Sequence, residues 1–316
     1  MKYQHGHHAG NFADVHKHVT LLALLAAITR KEKPFLFVDT HAGRGIYRQH
    51  ESARRVASGP LADAQQGEAN RGVERVLSAV AQRRLALPVA SAAATSTSAI
   101  APAPAELESA GPDPIDTYAS LVLSLRAQLH DHTAYPGSPW LAAACMRPDD
   151  RGAAFELQAA EHAALSRALE YHPRFSSEQG DGFKRLRSLL PPPERRALVL
   201  IDPPFEEPRD EQRRVLEAVT AALRRFETGI YHLWFPLKTQ RDADHWRNAL
   251  RAATTRPILY GQLAIYPLDS RAGLNGSGIA IVNPPYLLEV AMANWLPELH
   301  RQLDPQAQGG NELCML

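Results

Sequence analysis

Residues 197–205 read Ala197-Leu198-Val199-Leu200-Ile201-Asp202-Pro203-Pro204-Phe205. A five-residue apolar run is too short for a helix and predicts a strand buried on both faces. The acid and the two prolines end it abruptly. Burial on both faces requires helices on either side, so the run predicts an α/β protein with a parallel sheet. The rest of the chain agrees. Strand-like runs occur at Phe35–Val38, Ala153–Leu157, Arg174–Glu178, Gly229–Phe235, Ile258–Pro267 and Gly278–Val282. Helical periodicity occupies 11–30, where Asn11 is the expected N-cap, and 140–147, 159–170, 183–190, 209–226 and 241–252. This alternation predicts a doubly wound sheet. Only Asp269–Ser277 joins the last two strands, so they are expected to form a terminal antiparallel hairpin. The thirty residues after Tyr286 are too few for a further doubly wound half.

The character changes between Arg48 and Thr133. Helical patterns at 69–85 and 116–130 flank Ala86–Pro114, which is rich in Ala, Ser, Thr and Pro and nearly free of large apolar side chains. Such a stretch cannot offset its ordering entropy and is expected to be a disordered loop. The expected division is a catalytic domain from 1–47 and 135–316, interrupted by a helical insertion over 48–134 with a loop at about 86–114. No internal repeat is present.

A composition of 45% hydrophobic and 22% charged residues excludes a wholly disordered chain or a fibre. Thirty-five Lys and Arg against 34 Asp and Glu leave a formal charge of +1, so any nucleic-acid contact needs a local basic surface. Arg pairs at 54–55, 83–84, 195–196, 213–214 and 224–225 are candidates, though most read as ordinary helix-surface charge. Cys145 and Cys314 have no CxxC partners, which disfavours a zinc site or disulfide framework and points to a reducing compartment. The longest apolar run, Val19–Ile28, is too short to span a bilayer. The His-rich segment before it does not suit a signal peptide, so a cytoplasmic protein without membrane contact is expected.

Several motifs fall at predicted strand ends. Asp39-Thr40-His41-Ala42-Gly43-Arg44-Gly45 follows the first strand directly. Its glycines allow a tight turn and close approach to a ligand, although a plain strand-to-loop turn would use them equally. Arg48 replaces the third glycine of a dinucleotide fingerprint and no Gly-Lys-Ser/Thr follows, which disfavours a dinucleotide oxidoreductase and a P-loop NTPase. Glu156 could accept both hydroxyls of a ribose or merely face solvent. In Gly180-Asp181-Gly182 the acid could accept from an adenine amine or cap a helix.

The prolines after Asp202 fix the backbone so that a carbonyl and the carboxylate converge on one spot. That suits an exocyclic purine amine, a poor nucleophile whose lone pair is delocalised until two acceptors hold its hydrogens. Phe205 offers a stacking face, worth about 1–3 kcal/mol per base in single-stranded complexes. Asn283-Pro284-Pro285-Tyr286 fits the same pattern, but its position after the last hairpin, far from the glycine turn, favours Asp202. At the amino terminus stand Tyr3, His5, His7, His8, His16, Lys17 and His18. No cysteine or carboxylate cluster completes a metal site there, so no metal is expected. A solvated helix face accommodates His16 and His18; alternatively the helix closes over a cofactor and presents Tyr3 and His5 to a target base. In Tyr135-Pro136-Gly137-Ser138-Pro139, Ser138 is the expected N-cap and Pro139 the first helical residue, and such a helix start can hold a carboxylate.

Taken together, Tyr3-Gln4-His5, His8-Ala9-Gly10-Asn11, Ala13–His18, Asp39–Gly43, Tyr135–Pro139, Asp181-Gly182-Phe183, Ile201–Pro204 and Asn283–Pro285 resemble the bacterial 23S ribosomal RNA adenine-N6 methyltransferases of the methyltransferase J family. The match spans nearly the whole chain apart from roughly 48–134. It implies a Rossmann-like class I S-adenosylmethionine-dependent methyltransferase with an inserted helical subdomain, whose partner is 23S rRNA and which acts as a monomer. It implies that His18, His41, Ser138, Glu156, Asp181 and Gly182 contact S-adenosylmethionine and that Asp202 is the catalytic proton acceptor. Tyr3 would touch the RNA, with His5, Lys17 and Phe205 completing the substrate-binding set. Phe205 replaces the family's usual Tyr, keeping the ring and losing a hydroxyl, and the insertion is longer than usual. The Asp-Pro-Pro-aromatic chemistry is shared with DNA adenine and protein-glutamine methyltransferases, and a non-catalytic RNA-binding protein of the same fold is a further alternative.

Overall fold

A computed structural model describes residues 9–48, 71–86 and 112–316. The chain starts with helix α1 (Phe12–Thr29), strand β1 (Leu36–Asp39) and the short strand β2 (Ile46–Tyr47). Helices α2 (Val73–Ala86) and α3 (Pro114–Leu129), strand β3 (Tyr135–Pro136) and helix α4 (Ser138–Cys145) follow. Then come β4 (Arg151–Glu156), α5 (Ala159–Ala168), β5 (Phe175–Gln179), α6 (Gly182–Leu189), β6 (Ala197–Ile201) and α7 (Pro208–Arg225). The chain ends with β7 (Ile230–Leu237), α8 (Gln240–Ala253), β8 (Ile258–Ala264), β9 (Gly276–Val282), α9 (Leu288–Leu303) and β10 (Gly310–Met315).

Eight strands form one sheet in the order β10-β8-β9-β7-β6-β1-β4-β5, and β2 pairs with β3 separately. Strands β5, β4, β1, β6 and β7 run parallel, with β1 paired to β4 on one side and β6 on the other. Strand β9 is antiparallel to both β7 and β8. The expected hairpin is therefore present, but it is not the edge of the sheet. The residues after Tyr286 supply α9 and the antiparallel edge strand β10, which pairs with β8. Both escape a periodicity reading for physical reasons. Helix α9 carries Pro297 in its interior, and β10 is too exposed to need alternating apolar residues.

Helix α1 is the centre of one layer. Asn11 caps it, accepting from the Ala13 and Asp14 amides at 3.0 and 2.9 Å. Val15, Val19, Leu21 and Leu24 are fully buried among side chains of α2, α3, α4 and α9. By length and composition α1 could cross a bilayer, but it is apolar nearly all round because it lies inside this core. His16 and His18 are buried with it, so they do not form a solvated helix face. Helices α6, α7 and α8 cover the opposite face of the sheet, over Val38, Val199, Ile201 and Phe235.

Candidate active site

The strand order reverses direction at β1, and ligands of open α/β sheets collect beyond the carboxyl ends of the strands at such a point. Three acids stand on that edge: Asp39 at the end of β1, Glu156 at the end of β4, and Asp202 just after β6. The edge brings together Asp14, Lys17 and His18 of α1, His41 and Tyr47 of the β1 turn, Ser138 of α4, and Asp202, which line one narrow cleft.

Asp202 is 4% exposed, and its Oδ2 accepts a hydrogen bond from the Lys17 ammonium at 2.5 Å. Lys17 also donates to Asp14 Oδ1 at 2.8 Å. Burial alone would lower the Lys17 pKa, but Asp14 and Asp202 together hold it well above its usual range. Lys17 is therefore a fixed cation, and it lies 5.7 Å from the centre of the Trp234 ring. Asp202 Oδ1 has no hydrogen-bond partner among the described residues. One carboxylate oxygen is thus anchored and the other is open to a ligand.

The residues expected to hold the cofactor surround this pair. His18 Nδ1 shares a 2.8 Å hydrogen bond with the Tyr135 hydroxyl, which in turn accepts from Tyr118 at 3.2 Å. That arrangement has Tyr135 donating to Nδ1 and leaves the His18 proton on Nε2. His41 Nδ1 is 2.8 Å from Thr40 Oγ1, and its ring meets Phe183 edge-on at 4.7 Å. Gly137, not Ser138, is the N-cap of α4; Ser138 is the first helical residue, and its hydroxyl donates to Asp39 Oδ2 at 2.6 Å. The buried acid claims the hydroxyl that the local sequence would offer to the helix end.

Glu156 does not simply face solvent. It accepts from the Gly43 amide at 3.1 Å and the Gln158 amide at 2.7 Å, so it fixes the glycine turn. Asp181 caps α6 through the Phe183 and Lys184 amides and lies 3.5 Å from Arg214. Gly182 packs so tightly that a Cβ there would be 2.1 Å from the Thr40 carbonyl oxygen. Gly43 and Gly45 have φ of +59° and +77°, the left-handed region that glycine enters without strain. A Cβ on Gly43 would lie 2.3 Å from the Tyr47 hydroxyl. The Tyr47 ring thus fills the space over the turn, and the cleft encloses only about 10 Å³. The donors and acceptors around it are of the kinds that cationic, carboxylate and ribose groups need.

A second, larger cavity of about 380 Å³ opens beside Asp202 and shares Asp14, Lys17 and Asp202 with the cleft. Pro203, Pro204, Phe205, Phe12, Trp234 and Tyr266 wall it, with Lys17 and Asp202 at its base. Phe205 is 9% exposed and held edge-on between Trp234 and Trp246, at 5.8 and 6.0 Å. Its contribution to the cavity is a wall rather than a free ring. Trp234 is more accessible, and Ser277, which also bonds His16 Nδ1, fixes its indole nitrogen at 2.9 Å.

Tyr3 and His5 lie outside the described residues. Asn283 is at the opposite edge of the sheet, because β9 runs antiparallel to β7 and Val282 pairs with Tyr231. Its amide donates to the Glu227 and Gly229 carbonyls, and Tyr286 is exposed. Among the described residues no group of three His, Cys, Asp or Glu side chains could hold a metal ion. Sequence reasoning quoted Asp39 and Tyr135 within their motifs but gave them no role in the site, and it did not single out Tyr47 or Trp234. An acid ending the first strand was the one available signal; the other three depend on tertiary packing.

Burial sets the pH response of this region. It depresses His16, His18 and His232 to about 3. It raises Asp39 to about 7, with the neighbouring Asp202 charge adding to the effect and the Ser138 hydrogen bond opposing it. The histidines bind protons in the unfolded chain before the folded one, so their stability is complete above about pH 6.5 and is lost as the pH falls toward 3. Asp39 acts oppositely: the stability it contributes is present at low pH and lost as the pH rises through about 7. The three imidazoles should therefore stay neutral at pH 5 in the folded protein. Titration of the histidine ring signals by NMR checks this; ordinary protonation of these rings near pH 6.5 would contradict their burial as neutral groups.

Residues 104–315 match the family model described as "Ribosomal RNA large subunit methyltransferase D, RlmJ". The chain is 34% identical to "Ribosomal RNA large subunit methyltransferase J" of Escherichia coli (strain K12) over 312 residues, covering 98% of this chain and 96% of that protein. It is 30% identical to the protein of the same name from Haemophilus influenzae, with the same coverage. A crystal structure of a Legionella pneumophila protein superposes with a TM-score of 0.75 at 28% identity over 98% of both chains. With identity of 30% or more across almost the full length, the chain belongs to the ribosomal RNA large subunit methyltransferase J family.

Proposed function

We propose that this protein transfers a methyl group from S-adenosylmethionine to N6 of a single adenine in 23S rRNA, acting as a cytoplasmic monomer. Family membership carries the enzyme class, an S-adenosylmethionine-dependent methyltransferase of large-subunit ribosomal RNA. One observation carries the finer reading: Asp202 lines both the cofactor cleft and an aromatic-walled cavity, with one oxygen held by Lys17 and the other open. When bound, S-adenosylmethionine supplies an activated methyl group, so the protein's part is positioning and proton handling.

In this reading the flipped adenine enters the cavity beside Trp234 and Phe205. Asp202 Oδ1 and the Pro203 carbonyl accept the amine hydrogens, which frees the nitrogen lone pair, and Asp202 takes up the released proton. Lys17 holds the carboxylate in place. His18, His41 and Ser138 would hold the methionine end of the cofactor, and Glu156 and Asp181-Gly182 the adenosine end. The paired helices α2 and α3 belong to the insertion over 48–134 and pack into the same hydrophobic cluster as α1 and α9. The acceptor test offers unmodified 23S rRNA, duplex DNA and a bacterial protein extract with labelled cofactor. Label on the rRNA alone is expected, and label only on DNA or protein would overturn the substrate assignment.

A further inference from the structure

A net charge of +1 requires that RNA be gripped by a local surface. The structure contains one that the site described above does not use. A groove of about 1200 Å³ runs between α7 and α8 on the face of the sheet away from α1. Pro208 lies near one end and Arg224 near the other, so the groove follows α7 for about 24 Å at 1.5 Å per residue. Arg187, Arg209, Arg213, Arg224, Lys238 and Arg241 line it, against only two acids, Glu217 and Asp242. Both acids are already engaged. Glu217 accepts from Arg213 at 3.2 Å, and Asp242 accepts from the Thr239 amide as part of the cap of α8.

The cations are the opposite case. Arg187, Arg209, Arg224, Lys238 and Arg241 are all exposed, and none has a carboxylate partner among the described residues. Elsewhere the arginines are largely committed. Arg44 pairs with Glu161, Arg126 with Glu74, Arg151 with Glu194 and Arg185 with Glu178. A second observation comes from Gln212, which also lines the groove. It is 7% exposed, and its amide nitrogen is buried without a hydrogen-bond partner. An unpaired donor beside a row of unpaired cations fits a ligand rich in anionic acceptors.

The groove is continuous with the cavity proposed for the target base. Phe205, Pro208, Pro236 and Lys238 line both. We propose that the groove between α7 and α8 carries the phosphodiester backbone of the rRNA strand flanking the target adenine, with Lys238 at the junction where the base turns into its cavity. This rests on the reading of the cavity beside Asp202 as the base site. Phosphate contacts of this kind fix register and orientation, while recognition of the adenine stays with the base cavity.

The test replaces Arg187, Arg224 and Arg241 together by Gln, leaving Arg209 and Lys238 beside the cavity in place. Binding of an unmodified 23S rRNA transcript is then measured across a salt series, with methylation kinetics and S-adenosylmethionine binding alongside. Each single-strand phosphate contact contributes about 0.7 to the slope of log K against log salt, so losing three should flatten the slope by about 2. RNA affinity should fall on the order of tenfold, appearing as a raised KM with kcat changed much less, and cofactor affinity should not move. A control triple, Arg30, Arg167 and Arg174 to Gln, removes equal charge elsewhere and should leave the slope unchanged. An unaltered slope and KM in the groove triple, or equal losses in both triples, would overturn the proposal. Ultraviolet crosslinking of the unaltered protein to the transcript gives an independent reading: crosslinks should map to residues 208–225 and 236–253, and their absence there counts against the groove. Failure of the unaltered protein to methylate the transcript would instead sink the substrate reading, whatever the triples do.

Discussion

Asp202→Asn is expected to lower kcat for methyl transfer by about 10²–10⁴-fold, the range typical of losing a positioned general base. The substitution keeps the shape of the side chain and can still accept one hydrogen bond. It removes the negative charge that takes up the amine proton. Binding of S-adenosylmethionine should change little, because Asn keeps the side-chain shape and the hydrogen bond of Asp202 goes to Lys17 rather than to a residue proposed to hold the cofactor. Single-turnover kinetics with saturating rRNA, beside calorimetric titration of the cofactor, separates the two effects. A variant that retains near-normal turnover would remove Asp202 from the chemistry. A variant that loses cofactor binding in proportion to rate would make it a structural residue.

The second large effect concerns Lys17. Its ammonium is buried against two carboxylates at 2.8 and 2.5 Å, so Lys17→Met would leave the Asp202 carboxylate, 4% exposed, without the cation it bonds. Removing one partner of a buried ion pair typically costs about 3–5 kcal/mol, mostly because a charge is left buried and uncompensated. The same substitution should nearly abolish methylation, since Asp202 loses the contact that orients it. A double-mutant cycle makes the assignment specific. In an Asp202→Asn background there is less stranded charge, so Lys17→Met should cost clearly less than it does alone. Urea unfolding of the four proteins reads out this coupling. Additive losses would mean that the two side chains do not interact as the geometry indicates.

Much of this architecture was legible because it is written locally. The apolar run 197–201, its Pro-Pro stop and the glycine turn after β1 each follow from what a buried strand or a tight turn needs. Asn11 is a local signal too, since a cap is made by residues two and three positions away. What could not be read depends on contacts between distant residues. Lys17 meets Asp202 across 185 positions, and His18 meets Tyr135 across 117. Ser138 illustrates the conflict directly. Its local sequence favours a cap, but Asp39 takes its hydroxyl from 99 positions away. The final helix and strand were missed for a different reason. Pro297 interrupts the pattern of α9, and β10 is an exposed edge whose pairing with β8 supplies most of its order. The masking of charge was also local: a chain near neutrality overall concentrates unpaired cations in one groove.

The proposed product is one rRNA adenine methylated on its exocyclic amine. The direct measurement incubates the purified protein with S-adenosylmethionine and an unmodified 23S rRNA transcript, then digests the RNA and identifies the methylated nucleoside and its position by mass spectrometry. The expected product is N6-methyladenosine at one position, formed by the unaltered protein and not by Asp202→Asn. Methylation of a ring nitrogen, a carbon or a ribose hydroxyl, or N6-methyladenosine formed equally by the Asp202→Asn protein, would contradict it.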